Sequence, residues 1–403
     1  MSPAPSDWRD YAAAAGQVLS PVLVLGYLLL LWTRLFPAEG VAPMDFQCFW
    51  AASKVALTEG PAAVYESHVF KGAQRALLGR PDAPACMFIY TPMSLLVFLP
   101  LALLPYTASA MAWLAATGAA YALALRALVP GWIAVLPFLA FPAAFLNAWY
   151  VQNGFLSAAL LGAATALLAK RPVLAGVCLG CLVYKPQLGL VLPVALAAAG
   201  RWRAFAAAGA TVLGFAAAAT AGFGAEIWPA FLSSVDDAGR WLEATPRRVG
   251  FDMASVFSAV KMLSGGRIGW AYAAQAAAAA AACALLVAAV RRRPGASAEG
   301  ALMAAAVPLA TPYLFHYDQV ILAVPLAWVL AEARRTGFLP WERAAFGALL
   351  VSPALAHAAV LAWEAPLAPL VSIGVFAAVL RRVCHLSADA AATPPARPRE
   401  ALA

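Results

Sequence analysis

The chain has 403 residues, of which 64% are hydrophobic and 11% charged, and its mean hydropathy is +0.79; a soluble domain could not hide that much apolar surface. The formal net charge is +8, but the basic residues stand in short stretches beside apolar runs instead of sharing one soluble surface with aromatics, which argues against a nucleic-acid partner. The six cysteines show no zinc-like spacing with histidine, so a structural zinc site is excluded as well.

In lipid the backbone must satisfy its own hydrogen bonds, so apolar runs too long for barrel strands predict transmembrane helices. The runs fall at residues 17–36, 88–104, 106–127, 131–149, 154–169, 172–184, 187–200, 204–222, 268–290, 299–314, 318–333, 343–362 and 366–380. The N-terminus lacks the basic region, short apolar core and small-residue cleavage site of a signal peptide, so Gln17 to Phe36 reads as a retained first span.

Phe46, Phe49, Trp50 and Leu57 recur at helical spacing, as do Tyr65, Val69, Ala73 and Leu77. They predict two short amphipathic helices lying on the membrane surface. Cys48 and Cys86 share this region, where an oxidising compartment permits a bridge. Cys178 and Cys181 have CxxC spacing inside an apolar helix and read as packing residues. Ile227, Phe231, Val235, Ala238 and Leu242 make a third amphipathic stripe.

Lys170-Arg171, Arg201 with Arg203, Arg291-Arg292-Arg293, Arg334-Arg335 with Arg343, and Arg381-Arg382 mark cytoplasmic ends, because cytoplasmic loops carry an excess of Lys and Arg. Their alternation puts Gln152, Lys185, the loop 223–267, His316 and Glu364 outside. An even number of crossings must then lie between 88 and 149, where three apolar runs stand. The run 88–104 holds Pro92 and Pro100 and abuts Pro105; proline removes backbone donors, which suits a re-entrant or surface-lying piece. The alternative is 131–149, interrupted by Pro137 and Pro142. The expected architecture is all-α, a polytopic bundle of about 12 full spans. One integral-membrane domain covers 1–385, with outer loops at 37–87 and 223–267 and a disordered cytoplasmic tail at 386–403, rich in Ala, Pro and Arg.

Ionisable groups near a membrane are costly and often mark a site, and with this topology they collect on the outer side. Asp45, Gln47 and Tyr90 stand there, followed by Gln152, Asn153, Lys185, Gln187, Asp252, His316, Tyr317 and Asp318. The stretches MDFQCFWAASKVALTEGPAAVYE (44–66), FIYTPMSLLVFLPLALLP (88–105), QNGFLSAALLGAA (152–164), RPVLAGVCLGCLVYKPQLGLVLP (171–193) and TPYLFHYDQVILAVPLA (311–327) together resemble family 87 glycosyltransferases. That resemblance implies a GT-C fold and a polyprenyl-phosphate sugar as donor, mannose in the best understood members, with a lipid or glycan acceptor. It places the enzyme in a bacterial inner membrane, multi-pass, with its active site facing the periplasm or cell exterior and membrane lipids around it.

Asp45 matches the family's catalytic aspartate; the competing reading is a helix N-cap before Phe46. Lys185, ahead of Pro186 at a helix start, is expected to bind the donor phosphate, unless it only snorkels to the interface. His316 is expected to donate to the same phosphate or to the sugar; the competing reading is a structural histidine. Gln47, Tyr90, Gln152, Asn153, Gln187 and Asp318 are expected to bind sugar or acceptor, with Asn153 and Asp318 alternatively a turn residue and a cap. Arg240, Arg247 and Arg248 read more simply as lipid-headgroup contacts, and Asp236-Asp237 as a solvated face. Asp45-Phe46-Gln47 has one carboxylate where a metal-binding DxD has two, so neither a divalent ion nor another cofactor is expected. The rival function is a transporter or flippase of lipid-linked sugars, against which stand unlike halves and polar groups at one face instead of the midplane.

Overall fold

The computed structural model describes residues 8–36, 45–79, 81, 85–244 and 251–392. Among them the regular structure is helical, apart from an isolated antiparallel bridge between Met253 and Phe315. α1 (Trp8–Leu35) leaves Leu19, Val22, Leu25, Leu28 and Leu29 exposed, an apolar face that suits lipid. α2 (Phe46–Thr58) and α3 (Ser67–Leu78) follow. α3 is a surface helix with Phe70 and Gln74 buried, and it ends at Gly79 in the left-handed conformation, φ 63°.

α2 departs from the expected surface strip. Phe46, Phe49, Trp50, Ala51, Ala52 and Val55 are all buried, because residues 92–106 cover its second side. Phe49 stacks on Phe98 at 4.5 Å, and Ser53 Oγ donates to the Phe98 carbonyl at 2.7 Å. A disulfide joins Cys48 to Cys86, their Cα atoms 6.1 Å apart, within the span such a bridge allows.

Proline shapes the next region. α4 (Pro92–Phe98) starts on one proline and gives way to a 3-10 stretch, Leu99–Leu103, that holds Pro100. α5 (Tyr106–Leu128) is continuous, but 131–149 is again broken, into α6 (Leu136–Leu139) and α7 (Pro142–Trp149). Both runs weighed for the non-spanning role are thus interrupted at their prolines.

α8 (Gly154–Leu167) and α9 (Pro172–Gly180) come next. Two 3-10 turns, Cys181–Tyr184 and Pro186–Gly189, lead into α10 (Leu192–Ala198). The chain continues through α11 (Trp202–Phe223), the amphipathic α12 (Ile227–Ala244), α13 (Val256–Leu263) and α14 (Ile268–Val290). α15 (Ala296–Ala310), a 3-10 stretch His316–Leu322, α16 (Ala323–Thr336), α17 (Glu342–Trp363) and α18 (Ala368–Ala392) complete it. α18 runs on through 386–392, where the tail was expected to be disordered; 393–403 lie outside the described residues. The protein is therefore an all-helical membrane protein. Among the described residues five helices, α5, α11, α14, α17 and α18, are long and apolar enough to cross a bilayer, and six other apolar stretches are shorter, at 10–17 residues.

Small residues bring these helices together. A Cβ on Gly180 of α9 would lie 2.6 Å from the Ala208 carbonyl oxygen of α11, and one on Gly176 would overlap the Ala204 carbonyl. This is the small-xxx-small contact of membrane helices, and it leaves Cys178 and Cys181 as partly buried free thiols beside it. Gly300 approaches the Thr165 Cα in the same way, 2.7 Å from where its Cβ would sit, and so seats α15 on α8.

Polar contacts gather at two ends of the bundle. At one end Arg201 pairs with Glu299 at 2.7 Å, Arg381 donates to the Pro340 carbonyl, and Arg382 pairs with Glu342 at 2.7 Å while fully buried. These arginines are structural as well as topological marks. α15, α16 and α17 run from that end to the other, where Thr311, the stretch His316–Leu322 and His357 lie.

Candidate active site

The site begins at the turn between α7 and α8. Gln152 N–H donates to the Asn147 carbonyl at 2.9 Å and Val151 N–H to the Ala148 carbonyl at 3.0 Å, the nested pair of a Schellman helix end. Its left-handed position is filled by Val151 at φ 51°, where glycine is usual and a β-branched residue is strained. Gly154 N–H then donates to Asn147 Oδ1 at 2.7 Å. A Cβ at 154 would stand 2.6 Å from that oxygen and 2.8 Å from Val320 Cγ1, so the turn requires glycine there.

Gln152 reaches across to the start of α2. Its Nε2 donates to Asp45 Oδ2 at 3.0 Å, and its Oε1 accepts the Asn153 N–H at 3.3 Å. Asp45 has helical backbone angles, φ −57° and ψ −24°, and its side chain makes no capping bond. The carboxylate is thus turned to Gln152 and not spent on the helix end. Burial raises the Asp45 carboxyl above the ordinary carboxylate range; the Gln152 bond lowers it, the charge of Asp252 raises it, and Arg34 and Lys185 lower it.

Asn153 continues the network: Nδ2 donates to Tyr90 Oη at 2.9 Å, and Oδ1 accepts from Lys185 Nζ at 3.3 Å. Lys185 is 2% exposed and donates to both oxygens of Asp318, at 2.6 and 2.8 Å. All three ammonium protons are occupied in this arrangement. Asp318 Oδ2 also accepts the Phe315 N–H at 3.2 Å, so it holds the start of the His316–Leu322 stretch as well. Lys185 does not head a regular helix: Pro186–Gly189 is a 3-10 turn, and the Leu188 N–H is taken by the Lys185 carbonyl at 3.0 Å. The expected row of open helix-start donors is not formed, because Pro186 and the tight turn use that backbone locally.

Six of the anticipated residues, Asp45, Tyr90, Gln152, Asn153, Lys185 and Asp318, therefore share one hydrogen-bonded network. Gln47 is buried on α2. Gln187 contributes its carbonyl to Thr311 Oγ1 at 3.1 Å, and no hydrogen bond joins its side chain to the network among the described residues. His316 faces the His357 ring, centroids 4.7 Å apart, and its buried Nδ1 has no partner among the described residues. Arg240 pairs with Asp237 on an exposed face of α12, while Arg247 and Arg248 lie outside the described residues.

Tyr184 and Trp113 escaped sequence reasoning. Tyr184 Oη donates to the Asn153 carbonyl at 3.1 Å and lies 2.6 Å from Ser157 Oγ; its place next to Lys185 was the available signal. Trp113 Nε1 donates to the Gln152 carbonyl at 3.3 Å, and nothing in an apolar helix distinguishes that tryptophan. Asp252 is brought close by the Met253–Phe315 bridge and by Ala254 N–H donating to the Leu314 carbonyl at 2.6 Å. Its charge acts on Asp45, Tyr150 and Tyr317.

A family model described as Glycosyltransferase family 87 matches residues 88–312, more than half of the chain. The match takes in Tyr90, Gln152, Asn153, Lys185 and Gln187, and leaves Asp45, Gln47, His316 and Asp318 on either side of it. No curated protein and no solved structure matches the chain.

Proposed function

Since the chain belongs to glycosyltransferase family 87, we propose that it moves a sugar, mannose by the resemblance, from a polyprenyl-phosphate carrier to a lipid or glycan acceptor with inversion of the anomeric centre. The reaction takes place at the outer face of a bacterial inner membrane. The observation that carries this reading is the Asp45 carboxylate, free of capping duty and held through one oxygen at the end of a buried polar network. An acceptor hydroxyl loses its proton as it attacks the anomeric carbon, and a carboxylate within hydrogen-bond reach takes it. Burial, by raising the Asp45 carboxyl, makes it a stronger base than an exposed aspartate.

The leaving group is a polyprenyl phosphate, whose developing charge needs a cation or aimed dipoles. Lys185 is the buried cation of the network, and the donor phosphate engages it by sharing it with Asp318. His316 acts as a neutral donor beside it. Tyr90, Asn153 and Gln187, with Gln47 and Asp318, offer hydrogen bonds to sugar or acceptor hydroxyls. The Cys48–Cys86 bridge suits an oxidising compartment, and the arginine-rich end opposite the site suits the cytoplasm. Both support an outward-facing site.

Asp45→Asn tests the base. In single-turnover assays of purified protein with polyprenyl-phosphate sugars, transfer should fall by about 10²- to 10⁴-fold, the usual worth of a general base. A near-normal rate in folded Asp45→Asn would remove the central residue of the mechanism.

A further inference from the structure

A catalytic carboxylate has two oxygens, and something must decide which one receives the proton. We propose that Gln152 is a positioning residue for Asp45, held by the strained α7–α8 turn so that it occupies Oδ2 and leaves Oδ1 to face the acceptor; this rests on reading Asp45 as the base.

The orientation of the Gln152 amide is fixed by its neighbours. Its Oε1 accepts the Asn153 N–H, so its NH₂ must point at Asp45; a flipped amide would set donor against donor on one side and oxygen against carboxylate on the other. The backbone is pinned just as firmly, by the Gln152 N–H on Asn147 and the Gln152 carbonyl under Trp113. Oδ1 has no hydrogen-bond partner among the described residues.

Val151 supplies the second observation. Left-handed backbone at a β-branched residue persists only where the surroundings over-determine it, and such outliers gather at functional sites. Glycine would satisfy the turn without strain. Val151, however, is fully buried in the cluster of Phe46, Phe49, Trp113 and Tyr184. That cluster also holds Phe46 and Phe49 of α2, the helix that begins just after Asp45, so the strained turn and the helix behind Asp45 share one packed core.

In the step itself, the acceptor O–H bond breaks as its oxygen bonds to the anomeric carbon, and the proton passes to Oδ1. The carbon–oxygen bond to phosphate breaks with its electron pair leaving on the polyprenyl phosphate, and Asp45 later returns its proton to solvent. Gln152 keeps the carboxylate ionised for this step against the effect of burial. The other titratable groups around Asp45 are Arg34, Tyr90, Tyr150, Lys185, Asp252 and Tyr317.

The test reads Asp45 directly and needs no acceptor. Infrared difference spectra between the full chain and its Asp45→Asn variant isolate the Asp45 carboxyl band, whose pH titration gives a midpoint. In a Gln152→Leu background the midpoint should rise by about one to two pH units, the worth of one charge-assisted bond. Val151→Gly, which keeps the amide but releases its anchor, should move the midpoint the same way by less, and serves if Gln152→Leu does not fold. An unchanged midpoint in the folded variants overturns the positioning role while leaving Asp45 as base. Undiminished transfer by Asp45→Asn overturns the base reading, and the role of Gln152 with it, whatever the midpoint.

Discussion

Lys185 shows how a buried charge is made tolerable by a residue far along the chain. An ammonium removed from water costs several kcal/mol unless a partner and further hydrogen bonds replace its hydration; Asp318, 133 positions away, and Asn153 do so. Lys185→Ala should therefore strand the Asp318 carboxylate and destabilise the protein by about 3–5 kcal/mol. The double variant Lys185→Met with Asp318→Leu should recover most of that loss in thermal unfolding in detergent. If Lys185 merely snorkelled, single and double variants would unfold alike. If Lys185 or its partner contacts the donor, the folded double variant should also use donor roughly ten- to hundredfold less well. The sequence singles out both residues, because ionisable groups at span ends are costly to keep. Their pairing was not legible there, since Asp318 reads locally as a cap and Lys185 as a snorkelling cation. His316 stood out for the same reason as Lys185, yet its ring packs on His357.

At the scale of elements, prolines decided most of what could be foreseen. The breaks at Pro92, Pro100, Pro137 and Pro142 were legible because proline cannot continue a helix. The burial of α2 was not: its stripe of aromatics reads as a surface helix, and only the fold brings residues 92–106 against its other side. Gly154 illustrates the same limit, since its need for glycine comes from Val320, in another element. Gly154→Ala should push α8 away from the His316–Leu322 stretch and lower the unfolding temperature, with overpacking costing about 1–3 kcal/mol. Unchanged stability would show that Asn147 and Val320 yield easily. The Cys48–Cys86 bridge closes a loop of 38 residues; on chain-entropy grounds, removing it by Cys48→Ser with Cys86→Ser should cost about 3–4 kcal/mol. Mass spectrometry of unreduced protein should find the two cysteines linked, and free thiols there would contradict the fold of this region.

The molecule as a whole has two chemically different ends, one carrying arginine ion pairs and the other the Asp45 network. Among the described residues five helices meet the length of a bilayer crossing and six apolar stretches fall short of it, so the 12 expected spans are not confirmed. A run such as 172–184 is apolar enough to suggest a span, but it divides into α9 and a 3-10 turn. The ends are nevertheless distinct: Arg201, Arg381 and Arg382 are tied to Glu299, Pro340 and Glu342, and α17 separates that end from His357 and the site. If the arginine end faces the cytoplasm, a cysteine placed at Arg292, Arg335 or Arg203 should react with an impermeant thiol reagent only after cells are opened. One placed at Leu232, exposed on α12, or at the half-exposed Asp237, should react in intact cells. The free thiols at 178, 181, 283 and 384 would first be replaced, with the Cys48–Cys86 bridge left in place. The reverse pattern would put the Asp45 network in the cytoplasm, where the bridge would be reduced and a donor displayed on the outer leaflet could not reach it. Labelling therefore bears on the chemistry as much as on the topology, and reagent reaching Asp237→Cys only in opened cells would overturn both together.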